Sequence, residues 1–302
     1  MPQTSVKFPS KTFTLAANLY TPESASPKRS RAAIVVVHPF GGVKEQTAGL
    51  YAEKLAQNGF ITLAFDAAYQ GASTGEPRYL EDPFQRAEDI KAAVTYLSTL
   101  DTVDPDRIGA LGICAGGGYV PFAAQTDTRI KAVATVSAVD VGGLFTRPFG
   151  GGPLKDDLRE SLAKAGELRI AEAKGENPHL SHIVPTTKPG AEFPDLYKEG
   201  FDYYCTPRGQ HKNSTNWFVT RSIDLIANYD SYQFNELISP RPLLMIAGSV
   251  ADTLYFSKDA IKKAKEPKEL FIVDGKTHVG LYDDLSVTLP KLIEFMDENL
   301  SK

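Results

Sequence analysis

The sequence predicts an α/β protein built on one mostly parallel sheet with helices on both faces and a long inserted segment. Three observations carry this. Apolar runs of strand length alternate with amphipathic stretches of helix length, and parallel neighbours need such crossovers. The run Ala32 to His38 (AAIVVVH) is apolar without alternation, as a strand covered on both faces requires. The alternation stops near residue 140 and resumes near 241.

The elements follow in order. In residues 13–19 (FTLAANL), Phe13, Leu15, Ala17 and Leu19 share one face at period two, the pattern of an antiparallel edge strand. The run 32–38 ends in the turn Pro39-Phe40-Gly41-Gly42. Residues 47–58 read as a helix, with Tyr51 and Leu55 four apart and Gly59 placed to end it. Phe60 to Phe65 is the next strand, and a Gly-, Ser- and Pro-rich loop over 67–78 leads to a helix striped by Ala87, Ile90, Val94 and Leu97. Arg107 to Leu111 is a strand, 115–124 a helix of small residues, and Ile130 to Ser137 a strand. Residues 141–240 hold two Lys- and Glu-rich helical segments and the aromatic cluster Phe201, Tyr203, Tyr204, and read as an insertion. Strands at 242–248 and 269–273, each followed by a helix, complete a core made of 1–140 and 241–302.

Composition narrows the function classes. Of 302 residues, 33 are Lys or Arg and 37 Asp or Glu, a formal charge of −4 that argues against a nucleic-acid partner. Hydrophobic residues make up 42% and charged residues 23%, enough for a sizeable core. The start MPQTSVKFPSKTFTL lacks an apolar targeting segment, and no run of about 18 apolar residues follows. The expectation is a soluble, cytoplasmic protein with no membrane partner, and homo-oligomerisation is left open. Two cysteines, Cys114 and Cys205, exclude a disulfide framework and are too few for a Cys-based zinc site.

Ligands of such sheets bind outside the carboxyl ends of the strands, so the loops there hold the chemistry. After strand 107–111 comes Gly112-Ile113-Cys114-Ala115-Gly116, the G-x-nucleophile-x-G pattern with Cys as nucleophile, between a strand and a helix. The plainer use of this cysteine is as a buried, inert residue in a Gly-rich turn. A helix starting at Ala115 would point its N-terminus at the sulfur and offer the Ala115 N–H to an oxyanion. The motif orders its partners nucleophile, acid, histidine. Asp252 follows strand 242–248 and His278 follows strand 269–273, which gives the orienting acid and the base; alone, each is as easily a loop residue, Asp252 as a helix cap. The second oxyanion N–H falls to Phe40, with Gly41 next, because Pro39 has none. His38 ends a buried strand and reads as structural before it reads as a base.

Other candidates are weaker. No G-x-x-x-x-G-K-[ST] accompanies the glycines, which removes a phosphate loop. His179 and His182 have helical metal spacing, but Pro178 and Pro185 flank them and no third ligand is indicated. No metal or cofactor is expected.

Taken together, HPFGGVKEQTAGLYAEKLAQNGF, FDAAYQGASTGEPR, GICAGGGY, ISPRPLLMIAGSVADT and KELFIVDGKTHVGLYD resemble an α/β-hydrolase of the dienelactone hydrolase-like branch, in particular the bacterial and fungal subgroup with polyketide transferases and thiohydrolases. The resemblance implies Cys114 as nucleophile, His278 as base, Asp252 as its partner, the N–H groups of Phe40 and Ala115 as oxyanion hole, and the insertion as a cap. Two departures bear on substrate. Dienelactone hydrolases hold a glutamate where this chain has Pro39, and an arginine soon after the histidine where this chain has Leu281 and Tyr282. Arg78 is left to grip a substrate carboxylate from another loop, and Tyr203 and Tyr204 to line the acyl site.

The expected activity is hydrolysis of a small-molecule ester, lactone or thioester through an acyl-cysteine. The alternatives are an acyltransferase with the same triad and a non-catalytic ligand-binding protein on the same scaffold.

Overall fold

A computed structural model describes residues 2–24 and 28–301. The chain opens with two antiparallel strands, β1 (Gln3–Ser10) and β2 (Phe13–Tyr20), of which β1 forms the sheet edge. The edge place expected for residues 13–19 therefore belongs to β1, whose mostly exposed QTSVK half gives no apolar signal. Strand β3 (Ala33–Val37) is buried at every residue between β4 (Ile61–Phe65) and β5 (Ile108–Ile113), which explains its unbroken apolar run. Helix α1 (Thr47–Gln57) separates β3 from β4, and Gly59 past its end has φ +98°, a left-handed turn that glycine adopts without strain. Helix α2 (Pro83–Ser98) begins with Pro83 after Asp82, whose carboxylate accepts from the Phe84 and Gln85 N–H groups at 3.0 and 3.1 Å.

After β5 come α3 (Gly116–Thr126) and β6 (Ile130–Val136). The chain then leaves the sheet through α4 (Val141–Thr146), α5 (Leu158–Ala173), β7 (Leu180–His182), α6 (Asp195–Tyr204), β8 (Trp217–Val219) and α7 (Ile223–Ile226), with β7 and β8 paired as a separate ribbon. It returns as β9 (Leu243–Gly248), α8 (Leu254–Lys263), β10 (Lys268–Val273), α9 (Gly280–Asp283) and α10 (Thr288–Leu300).

The eight strands lie in the order β1-β2-β4-β3-β5-β6-β9-β10, all parallel from β4 onward. Strand order reverses at β3, so the loops after β3 and β5 open side by side, the position at which such sheets bind ligands. Among the described residues no helix is long and apolar enough to cross a membrane.

Candidate active site

Cys114 sits on the turn between β5 and α3 with φ +56°, an uncommon conformation for a residue with a side chain. The turn is tight enough to need its flanking glycines: a Cβ on Gly112 would lie 2.0 Å from the Gly116 carbonyl oxygen, and one on Gly116 2.5 Å from that of Val37. Cys114 is 9% exposed, and the Tyr282 hydroxyl and the Ala115 and Phe40 N–H groups face its sulfur. Burial pushes the thiol pKa up, while these donors and the Arg86 guanidinium oppose the rise.

Phe40 is aimed by groups below it. His38 is fully buried, and its Nε2 faces two donors, Arg86 Nη1 at 2.9 Å and the Ala67 N–H at 3.2 Å. Nδ1 therefore carries the proton and donates to the Pro39 carbonyl at 2.7 Å, where Arg86 Nη2 also donates at 3.2 Å. A trans peptide is planar with C=O and N–H opposed, so fixing the Pro39 carbonyl downward turns the Phe40 N–H up to the sulfur. Arg86 is itself held by Glu81 at 2.9 Å, and Glu81 by the Tyr119 hydroxyl at 2.5 Å. Burial and the guanidinium keep His38 neutral, which fits a structural residue.

His278 is buried, with Nδ1 2.6 Å from the Thr253 hydroxyl and Nε2 3.2 Å from the Tyr282 hydroxyl. Tyr282 thus bridges Cys114 and His278. Lying one helical turn past His278, Tyr282 is held through its backbone by Thr47, whose hydroxyl donates to its carbonyl at 2.8 Å. No carboxylate offsets the desolvation of His278, which pushes its pKa down to about 3. The substrate-free pair is therefore neutral thiol and neutral imidazole.

This geometry corrects one expectation. Asp252 is not bonded to His278; its Oδ2 accepts from the Leu196 N–H at 3.0 Å, at the start of α6. The residue after it, Thr253, faces the imidazole, because the turn into α8 sends adjacent side chains in different directions. Arg78 also departs from expectation: its guanidinium donates to the carbonyls of Gly71, Ser73 and Gly75, at 2.7, 2.6 and 3.3 Å, and it holds its own loop. Tyr203 packs behind the site against Tyr204 and Tyr282, whereas Tyr204 lines the pocket. His179 and His182 flank and end an extended strand, where positions three apart face opposite sides; His179 meets the Thr220 hydroxyl at 2.8 Å and His182 stacks on Trp217. Cys205 follows the last residue of α6 and is not among the residues that line the pocket.

The pocket over Cys114 has a volume of about 220 Å³. Phe40, Cys114, Val279 and Tyr282 come from the sheet side, and all of the remaining lining from residues 144–218.

Sequence reading missed Thr253 and Tyr282. Tyr282 had a usable signal, its i+4 spacing from His278; Thr253 had none that set it above Asp252.

The fold is that of the α/β-hydrolases. The structure superposes on the crystal structure of the α/β-hydrolase GrgF from Penicillium sp. with TM-score 0.82, 23% identity and coverage of 99% of both chains, a likeness of fold. Residues 15–138 match the dienelactone hydrolase family, to which the chain belongs. A curated relative, the uncharacterized protein YcjY of Escherichia coli K12, is 40% identical over 96% of this chain and 95% of its own. The crystal structure of the hypothetical protein PA2218 from Pseudomonas aeruginosa gives TM-score 0.92 at 37% identity, covering 99% of this chain and 94% of that one. The membership places the chain among the family's hydrolase- and acyltransferase-like proteins.

Proposed function

We propose that the protein hydrolyses an ester, lactone or thioester through an acyl-enzyme on Cys114, with residues 141–240 as a cap over the site. The observation that carries this is the convergence of three donors on one strained, strand-end cysteine whose bridging tyrosine touches a buried histidine.

The thiol proton passes to the Tyr282 oxygen as the Tyr282 proton passes to His278 Nε2, leaving thiolate and imidazolium. Thr253 accepts from Nδ1–H and holds the tautomer in which Nε2 is free to receive. The sulfur then bonds to the carbonyl carbon, and the displaced electron pair on oxygen is held by the Phe40 and Ala115 N–H groups. Collapse expels the alcohol or thiol, which takes its proton back from His278 along the same path. Water attacks the acyl-cysteine with His278 as base, releasing the acid and restoring the thiol. An amide is a poor substrate, because thiolate leaves in preference to amine. No cofactor enters these steps.

The test is a panel of aryl esters, lactones and acyl thioesters with intact-mass detection of the acyl-enzyme. The wild type is expected to turn over part of the panel and show acyl mass on Cys114, and Cys114→Ala to lose both. Full activity in Cys114→Ala overturns the mechanism.

A further inference from the structure

The pocket above Cys114 is apolar and carries no arginine or lysine in its lining. Arg86 lies beneath the Phe40 loop with its guanidinium spent on His38, Pro39 and Glu81, and Arg78 is spent on its own loop. An anionic group entering this pocket would lose its hydration with no cation to replace it. The cavity has a volume of about 220 Å³, and the residues at its end bound how far an acyl chain can run.

One wall of the pocket is a cluster of three phenyl rings. Phe40, Phe145 and Phe218 pack at centroid distances of 5.7, 5.5 and 5.8 Å, each pair tilted or edge-on. Phe145 and Phe218 also line a second, larger space of about 660 Å³ on the far side, open to solvent and bounded by α5. The two spaces are thus back to back, with two side chains between them. The outer groove carries Lys155, Asp157, Glu160 and Lys164, a polar rim unlike the inner pocket.

We infer that the inner pocket selects an uncharged, apolar acyl group of limited length, and that the Phe145–Phe218 wall sets this length by closing the pocket off from the outer groove. This rests on the function proposed above for the choice of an acyl ligand; the selection itself is a property of the cavity. Departure from the dienelactone type of substrate follows, since that type presents a carboxylate.

The test uses ligands that need no turnover. Carboxamides from butanamide to dodecanamide, and adipamic acid as the charged counterpart of hexanamide, are titrated by calorimetry and by fluorescence of Trp217, the chain's single tryptophan, which stacks on pocket-lining His182. In the wild type, affinity should rise about fourfold per methylene while the pocket fills and stop rising before dodecanamide. Adipamic acid at pH 7.5 should bind at least thirtyfold more weakly than hexanamide. In Phe218→Ala the rise should continue to dodecanamide, and Phe145→Leu, which trims the same wall without emptying it, should move the limit by one or two carbons. Binding of adipamic acid within threefold of hexanamide, affinity independent of length, or the same length limit in wild type and both folded variants overturns the inference. The function proposal fails separately, by Cys114-independent turnover.

Discussion

The clearest perturbation compares Thr253→Val with Asp252→Asn, neighbours in one turn that the structure assigns to different neighbours in space. Valine keeps the shape of Thr253 and removes the hydroxyl 2.6 Å from His278 Nδ1. That nitrogen is buried and has no other partner among the described residues. Leaving it unpaired costs about 1–3 kcal/mol, at the upper end for the imidazolium, where the bond is charge-assisted. At 1.4 kcal/mol per factor of ten, kcat should fall about 10- to 100-fold with KM little changed. Asp252→Asn keeps an oxygen able to accept from the Leu196 N–H, so kcat should stay within about threefold, and any effect should appear in KM through the seating of α6. Loss of a carboxylate that orients a catalytic histidine costs about 10⁴ in kcat in a serine-protease triad. Both variants should be assayed on a p-nitrophenyl ester at pH 7.5 after circular dichroism shows native folding. A drop of 10³ or more in Asp252→Asn beside a near-normal Thr253→Val would refute the reasoning.

Further outcomes follow from the same geometry. Tyr282→Phe removes a donor that lowers the Cys114 pKa, so alkylation by iodoacetamide should move to higher pH and kcat should fall tenfold or more; an unmoved alkylation profile counts against the bridge. Gly112→Ala should abolish the folded elbow, whereas Gly150→Ala meets nothing within 4 Å and should cost only about 1 kcal/mol for its φ of +88°, as urea melts would show. Acidification acts on the buried groups in opposite directions. The His278 pKa is about 3 folded and about 6.5 unfolded, so its stability term is complete above pH 6.5 and is lost as pH falls toward 3. Buried Asp89, raised to about 6, works the other way and gains as pH falls from 6 toward 3.9. Between pH 7 and 5, His278 and neutral-buried His38 lose stability, while the carboxyls that burial raises, Asp66, Asp89, Asp140 and Asp252, gain it. Asp89→Asn removes one of the gains, so its urea midpoint should fall more steeply from pH 7 to pH 5 than that of the wild type, and an equal fall would contradict the raised Asp89 pKa.

The sequence by itself determined what repeats along the chain or is local to one turn. Continuous apolar runs marked β3 to β6 because strands covered on both faces exclude polar residues. The spacing of Gly112, Cys114 and Gly116 marked the elbow because only glycine passes the Gly116 and Val37 carbonyls that closely. His278 was legible as the histidine after the last strand, and Phe40 as the first N–H beyond Pro39. The edge strand β1 was not legible, since a strand with one exposed face and polar residues gives a weak period.

Only the tertiary structure decided which neighbour of a turn meets the imidazole. Asp252 and Thr253 differ by one position, and the choice depends on the turn into α8 and on α6, which presents the Leu196 N–H to Asp252 from 56 residues away in sequence. The same holds for Arg78, which satisfies its own loop, and for Arg86, which the fold brings from α2 to lie under the Phe40 loop. Motif and period fix a residue's address along the chain; the direction of its side chain depends on contacts that close only when distant segments pack.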